Sequence, residues 1–341
     1  MINITQHITT IKLLLAAMLP LLAVACSTDS AEPTAIEPQA VTFSSGFARV
    51  VTRSTLDNEW ADSTQIVVCC TETGKTDKKY TYQYNDSEDT WAAVSTASKY
   101  YWPINDPSWT FSAWPAGYGD SPKTTMTVAA NQSVYHATNN PSGITESVYE
   151  GYDLLYCPPT TATYRQPVTL NFLHQMARVV VIVNSSNTDN KETVTNITYG
   201  GGHVGLTGNI TTQATSSANA LWTVSGSQNS TVTMRNRTTT TEASNNQYTF
   251  ECILTPQSYT QQTPATLITI TTTCTEYPTR TYNYSSNFSL AAGNQYTYSI
   301  SISESGKIVV STVQVTPWTS VAINGTGNYP SNSYPSTAVT E

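Results

Sequence analysis

Short runs in which apolar and polar residues alternate recur along the chain, and no stretch repeats with the 3.6-residue period of a helix. Tyr296, Tyr298, Ile300 and Ile302 form one such run, and Val168, Leu170 and Phe172 another. Successive side chains of an extended strand point to opposite faces, so a period of two buries one face of a sheet. Val179 to Val183 is apolar throughout apart from its flanks, as expected of a strand covered on both sides. Glu304-Ser305-Gly306-Lys307 stands between two alternating segments and has hairpin-turn chemistry. Helical character is confined to a short turn expected near Leu173 to Ala177. Many short strands bounded by turn residues predict an all-β chain of sandwich type.

Composition removes the alternatives. Of 341 residues only 11% are charged, against about 25% in an ordinary globular chain. The formal charge is −8, so the clustered cations that a nucleic-acid binder needs to displace counterions are missing, and no nucleic-acid partner is expected. Tyr, Trp and Phe number 21, 7 and 6, far too many for a disordered solvating chain. Thr, Ser, Asn, Tyr and Val dominate where a helical bundle would use Ala, Glu, Lys and Leu. The length suggests about two domains.

Leu13 to Ala25 is apolar, follows Lys12 and ends in small residues before Cys26. It is shorter than the ~18–20 residues of a membrane span, so residues 1–25 read as a signal peptide. The small residues ahead of Cys26 resemble a bacterial lipobox, which predicts cleavage before Cys26 and lipidation of its thiol. The mature chain is then held at a membrane by lipid alone. Residues 27–39 are rich in Pro and acid, as in a tether, and an alternating run from Val41 to Val51 predicts a first strand. Its inward candidates are Val41, Phe43, Phe47 and Val51, with Gly46 as a possible bulge.

Motifs suggestive of chemistry do not hold together. Gly200-Gly201-Gly202-His203-Val204-Gly205 matches a dinucleotide loop, yet strand-like residues follow it where a helix is required. His136, His174 and His203 are not spaced as metal ligands, and no nucleophile stands in a catalytic context. No cofactor, metal or enzymatic activity is expected, although facing carboxylates of a glycosidase are not visible in a sequence. Cys69, Cys70, Cys157, Cys252 and Cys274 have no metal-type spacing. Cys252 and Cys274 are the best candidates for a disulfide, with buried thiols as the stronger reading.

Several segments form an ordered series: Trp60 to Ile66, Trp102-Pro103, Phe111-Ser112-Ala113-Trp114-Pro115, Tyr152 to Tyr156, Leu170 to Val179, Leu254 to Gln257, Ala292 to Tyr298 and Val315 to Trp318. Together, behind a lipobox, they resemble the fimbrillin family of Bacteroidales, the subunits of type V pili. The resemblance implies two transthyretin-like β-sandwich domains in tandem, divided as residues 54–166 and 167–341, after a signal at 1–25 and a lipidated tether with a removable first strand at 26–53. It further implies a fimbrial subunit at the outer membrane and in the fimbrium, made competent when a trypsin-like, Arg-specific protease removes the first strand. A strand of another fimbrial subunit then takes the vacated groove. Between Lys12 and Lys75 the basic residues are Arg49 and Arg53 alone. Arg53 follows the whole strand and is the preferred cut, with Arg49 second. In stalk subunits of the family the donor strand is C-terminal, which points here to Val321 and Ile323. A host or bacterial surface ligand is a further partner of such a subunit. The competing reading is a lipid-anchored outer-membrane protein that binds glycans through exposed Trp and Tyr without polymerising.

Overall fold

A computed structural model describes residues 38–47, 60, 62–85, 87–88, 90–103, 108–133, 150–185, 192–274, 279–303 and 306–318. Cys26, Arg49, Val51, Arg53, Val321 and Ile323 lie outside them. The described residues from Gln39 on form a single compact unit.

In chain order the strands are β1 (Phe43–Phe47), β2 (Gln65–Glu72), β3 (Lys78–Asn85), β4 (Thr90–Ala93), β5 (Trp109–Pro115), β6 (Thr125–Thr127), β7 (Leu155–Thr161), β8 (Val168–His174), β9 (Ala177–Ser185), β10 (Thr193–Val204) and β11 (Thr207–Thr212). They continue with β12 (Leu221–Ser225), β13 (Ser230–Thr233), β14 (Arg235–Asn236), β15 (Gln247–Leu254), β16 (Gln257–Tyr259), β17 (Thr266–Thr273), β18 (Arg280–Ser285), β19 (Phe288–Leu290), β20 (Asn294–Ile302) and β21 (Ile308–Pro317). The one α-helix among the described residues, α1 (Thr240–Ser244), starts at a capping box in which Thr239 and Glu242 satisfy each other's backbone N–H.

The all-β expectation holds. Strands β1 to β8, apart from β6, make a barrel in the order β1-β4-β3-β2-β5-β7-β8, closed because β1 lies between β4 and β8. Its interior is packed with Phe43, Ile66, Val68, Phe111, Leu170 and Phe172. The later strands form a five-stranded sheet, β14-β15-β9-β20-β21, and a four-stranded sheet, β13-β10-β17-β18. These share a second core in which Val179, Val181, Val183, Ile197, Ile270 and Ile300 are buried. The alternating and continuous apolar runs of the sequence are therefore the strands that pack these two interiors.

Three details differ from the sequence expectations. The change between sheet systems falls between His174 and Ala177 rather than before Val168, because β8 is held by β1 and β7. Met126 on β6 packs in the second core and β6 pairs with β11, so part of the first half of the chain serves the later sheets. No helical turn forms at Leu173 to Ala177, since β8 runs to His174 and β9 begins at Ala177. The hairpin expected near Gly306 does join β20 to β21, which pair antiparallel, and Gly306 takes φ +76° in it.

Four of the motif segments meet at the junction after β8. His174 Nδ1 lies 2.7 Å from Asp153 Oδ1, with both side chains buried. The His174 ring stacks on Trp318 at 4.2 Å. The Trp318 N–H donates to the Gly293 carbonyl at 2.6 Å, and the Gly293 N–H donates to Met176 O at 2.8 Å. Gly293 holds φ +69°, and a Cβ there would come within 3.1 Å of His174 O. His174 is thus a hydrogen-bonded corner. Nearby, Arg178 donates to Glu251 Oε2 through Nη2 at 2.6 Å and Nε at 3.2 Å, and Arg237 Nη1 lies 3.2 Å from the same oxygen. Burial opposes ionisation of Glu251, but the charges of Arg178, Arg237 and Arg235 outweigh it and hold the carboxyl below its ordinary range.

A lowered folded pKa means that the stability Glu251 supplies is complete above its unfolded pKa of about 4.3 and is lost as pH falls through the lower folded value. Glu251→Gln removes that dependence and leaves Arg178 buried without its counter-charge, at a cost of about 3–5 kcal/mol at pH 7. Denaturant titrations of both proteins between pH 7 and pH 3 should therefore converge as pH falls; parallel curves would show that this carboxylate is not the responsible group.

Candidate functional site

The segment from Gln39 to Phe47 is stitched into the barrel along two borders. Gln39 O accepts from Trp102 N and Val41 N donates to Tyr100 O, each at 2.9 Å, and Ala40 bridges Tyr101. After Val168 N donates to Thr42 O at 2.9 Å, β1 runs parallel to β8 from Phe43 opposite Val168 to Phe47 opposite Phe172. Phe43 also stands opposite Trp91 of β4. The register is unbroken at Gly46, which faces Asn171, so the bulge considered there does not form.

Alternation decides which side chains enter the barrel. Val41 and Phe43 are buried, at 5% and 2% exposure, while Thr42 between them faces out. The Phe43 ring meets Tyr82, Phe111 and Tyr100 edge to face, with centroids 4.9, 5.1 and 6.1 Å away. That arrangement matches the aromatic quadrupoles and adds to the area buried. The rings around Phe43 are themselves fixed. Tyr100 Oη donates toward Val68 O at 2.9 Å and Lys78 O at 2.6 Å, while Tyr82 Oη accepts from Tyr100 N at 3.2 Å. Burial pushes the Tyr82 phenol up to about 12 and the Tyr100 phenol also upward, so both stay neutral.

Trp60, where the described chain resumes, packs edge to face on Trp91 of β4 and Phe172 of β8, at 5.2 and 4.8 Å. It spans the same two strands that β1 joins. The slot is therefore walled by β4 and β8, lined with aromatic rings, and holds a strand whose far end belongs to the N-terminal segment. Of the expected inward residues, Val41 and Phe43 sit in this slot. Phe47 ends β1 on the backbone, and its side chain, like Val51, lies outside the described residues. Tyr82, Tyr100, Trp91 and Trp60 complete the seat, and no local signal in the sequence ties them to β1.

The other candidates have structural roles. Gly200 to Gly202 lie within β10; a Cβ on Gly201 would collide with the Thr266 carbonyl oxygen and one on Gly200 with the Val204 side chain, while Gly202 has open space but holds φ +86°. Cys252 is a buried free thiol, so the disulfide considered with Cys274 is not formed. His203 stacks on Tyr259 at 4.1 Å. Among the described residues no group of His, Cys, Asp and Glu could hold a metal ion, and no helix is long and apolar enough to cross a membrane.

The family profile described as Fimbrillin-like matches residues 52–318. The chain belongs to the fimbrillin-like family. A candidate cell adhesion protein from Bacteroides uniformis ATCC 8492 is similar in structure, at 16% identity and TM-score 0.53, over 83% of this chain and 98% of that one. One from Bacteroides ovatus ATCC 8483 is similar at 16% identity and TM-score 0.52, over 82% and 97%. A fimbrial protein from Bacteroides vulgatus ATCC 8482 shares 15% identity over 82% and 100%, with TM-score 0.43. No curated protein matches the chain.

Burying Val41 and Phe43 contributes about 1.5–3 kcal/mol each as an upper bound. Phe43→Ala also leaves a cavity among fixed rings, so it should destabilise the barrel by about 3–5 kcal/mol, whereas Ser44→Ala on the outer face should stay within about 0.5 kcal/mol. Urea unfolding of the uncleaved chain measures both, and equal midpoints for the two variants would remove Phe43 from its place as the main seat.

Proposed function

We propose that the chain is a structural and adhesive subunit of a type V fimbria, exported as a lipoprotein through Cys26 and assembled by protease-triggered donor-strand exchange, without enzymatic activity. One observation carries this reading: the first described strand closes the barrel by lying between β4 and β8. Cutting after Arg53, or second after Arg49, severs β1 from the rest of the chain. Loss of residues 26–53 exposes the unpaired border of β8 and the aromatic seat of Phe43. An open strand edge beside an apolar slot is a strong template for another chain. Backbone hydrogen bonds supply affinity, and inward side chains at alternate positions set register. The start of the family match at residue 52, beyond β1, is consistent with a removable strand.

The partners are other fimbrial subunits, the Arg-specific protease and a surface ligand, and the place of action is the outer membrane, by lipid, and the fimbrium. Val321 and Ile323 in the C-terminal stretch are the donor residues on this reading. On this reading the barrel and the later sheets are taken as the two tandem domains.

Limited trypsin treatment of the purified full chain should release the segment before Ser54 and convert monomers into SDS-resistant ladders, and Arg53→Ala should abolish both. Deleting residues 319–341 should leave cleavage intact and prevent the ladders. Monomers persisting after clean cleavage at Arg53 would refute the stalk role.

A further inference from the structure

At one end of the barrel a hollow of about 200 Å³ opens between the β2–β3 turn, the segment before β5 and β5 itself. Lys75, Lys78 and Lys99 line it, three of the chain's fifteen basic residues. Lys75 is paired with Glu72 at 2.7 Å, whereas Lys78 and Lys99 have no carboxylate within ion-pair distance among the described residues. Counting the lining groups alone, three cations against one carboxylate leave +2 on a chain whose total is −8. Asp77 in the same turn reduces the local sum to +1 but does not line the hollow. A concentration of positive potential on an acidic protein attracts and orients an anion.

The remaining walls are aromatic. Tyr101 is 43% exposed, among the most exposed large apolar side chains described, and Tyr80 is half-buried with its ring 4.6 Å from that of Tyr100. Trp109 closes the inner side and is held by stacking on Trp102 at 5.6 Å. At the floor, burial pushes the Cys70 thiol up to about 12, so it adds no negative charge at neutral pH. Ordinary small-molecule pockets run to about 300–1,000 Å³, so this one accepts a single ring rather than a long ligand. The C–H face of a pyranose suits an aromatic platform, and an acid group on the ring suits two ammonium groups that lack carboxylate partners. A nucleic acid would need a longer cationic track than three lysines on a chain that is acidic elsewhere.

We propose that this hollow binds one acidic sugar unit, a pyranose bearing a carboxylate, with Lys78 and Lys99 contacting the anion and Tyr101 stacking on the ring. This site shares its Tyr100–Tyr101 wall with the first-strand slot and needs no polymerisation. Because Ala40 bridges Tyr101 and Val41 N bonds Tyr100 O, the wall of the hollow is intact in the uncleaved chain, which is the form to test.

Isothermal titration of the uncleaved full chain with trigalacturonic acid, 3′-sialyllactose and lactose should show binding of at least one acidic probe at least tenfold tighter than lactose. The double variant Lys78→Ala with Lys99→Ala, and separately Tyr101→Ala, should each weaken that binding at least tenfold. Lys79→Ala, whose ammonium is engaged with Asp120 O on the neighbouring surface, should leave it unchanged. All four side chains lie on the surface, and unaltered melting temperatures would show that the variants are folded. Equal affinity for lactose, no binding of either acidic probe, or full binding by the double variant would overturn the proposal. Displacement of the probe by inorganic sulfate at the same concentration would reduce the hollow to a simple ion site and overturn it as well. None of these outcomes depends on cleavage at Arg53 or on ladder formation.

Discussion

The insertion of Phe43 between Tyr82, Tyr100 and Phe111 is the contact on which the first half of the molecule depends, since it seats a strand of five residues that closes the barrel. Without β1, β4 and β8 are no longer joined through it. The same strand is joined to the lead-in at Gln39 to Val41, whose backbone bonds secure Tyr100 to Trp102. One terminal segment thereby holds together the closure of the sheet, the packing of the aromatic interior and the wall of the lysine-lined hollow. The contacts that hold this strand in the barrel are backbone pairing and side-chain packing.

The second half depends on buried polar contacts rather than on one strand. Asp153, His174, Gly293 and Trp318 come from four distant segments and meet after β8, while Glu251 gathers Arg178 and Arg237. Buried charges of this kind are costly unless each finds its partner, so they specify which strand ends lie together more sharply than apolar packing does. This explains why the segments that carry the family resemblance contain Asp, His, Gly and Arg although none of them serves catalysis in the reading offered for this chain.

Much of the architecture was legible in particular residues. Tyr296 to Ile302 and Val168 to Phe172 alternate because one face of β20 and of β8 is buried, and Val179 to Val183 are apolar because β9 is covered on both sides. Val41 and Phe43 were legible as inward residues for the same reason. The capping box at Thr239 and Glu242 was present in the sequence as well, but the helix it starts spans only five residues and shows no amphipathic period. The turn expected at Leu173 to Ala177 failed because tertiary pairing extended β8 and β9 to either side of two linking residues. The change of sheet falls after His174 rather than before Val168 because β8 pairs with a strand 125 residues earlier, an interaction that leaves no local trace.

Period-two alternation, sparse charge and abundant Thr and Tyr determined by themselves that this chain forms sheets, since backbone geometry turns a local pattern into a strand with a buried face. Which strand lies beside which was decided by the tertiary structure alone. The parallel pairing of β1 with β8 and the convergence of Asp153, His174 and Trp318 join residues far apart in sequence, and the hollow brings Lys99 to the turn that carries Lys75 and Lys78. Contacts of that kind depend on the whole chain having folded, because the free energy that secures each one comes from the packing of the others.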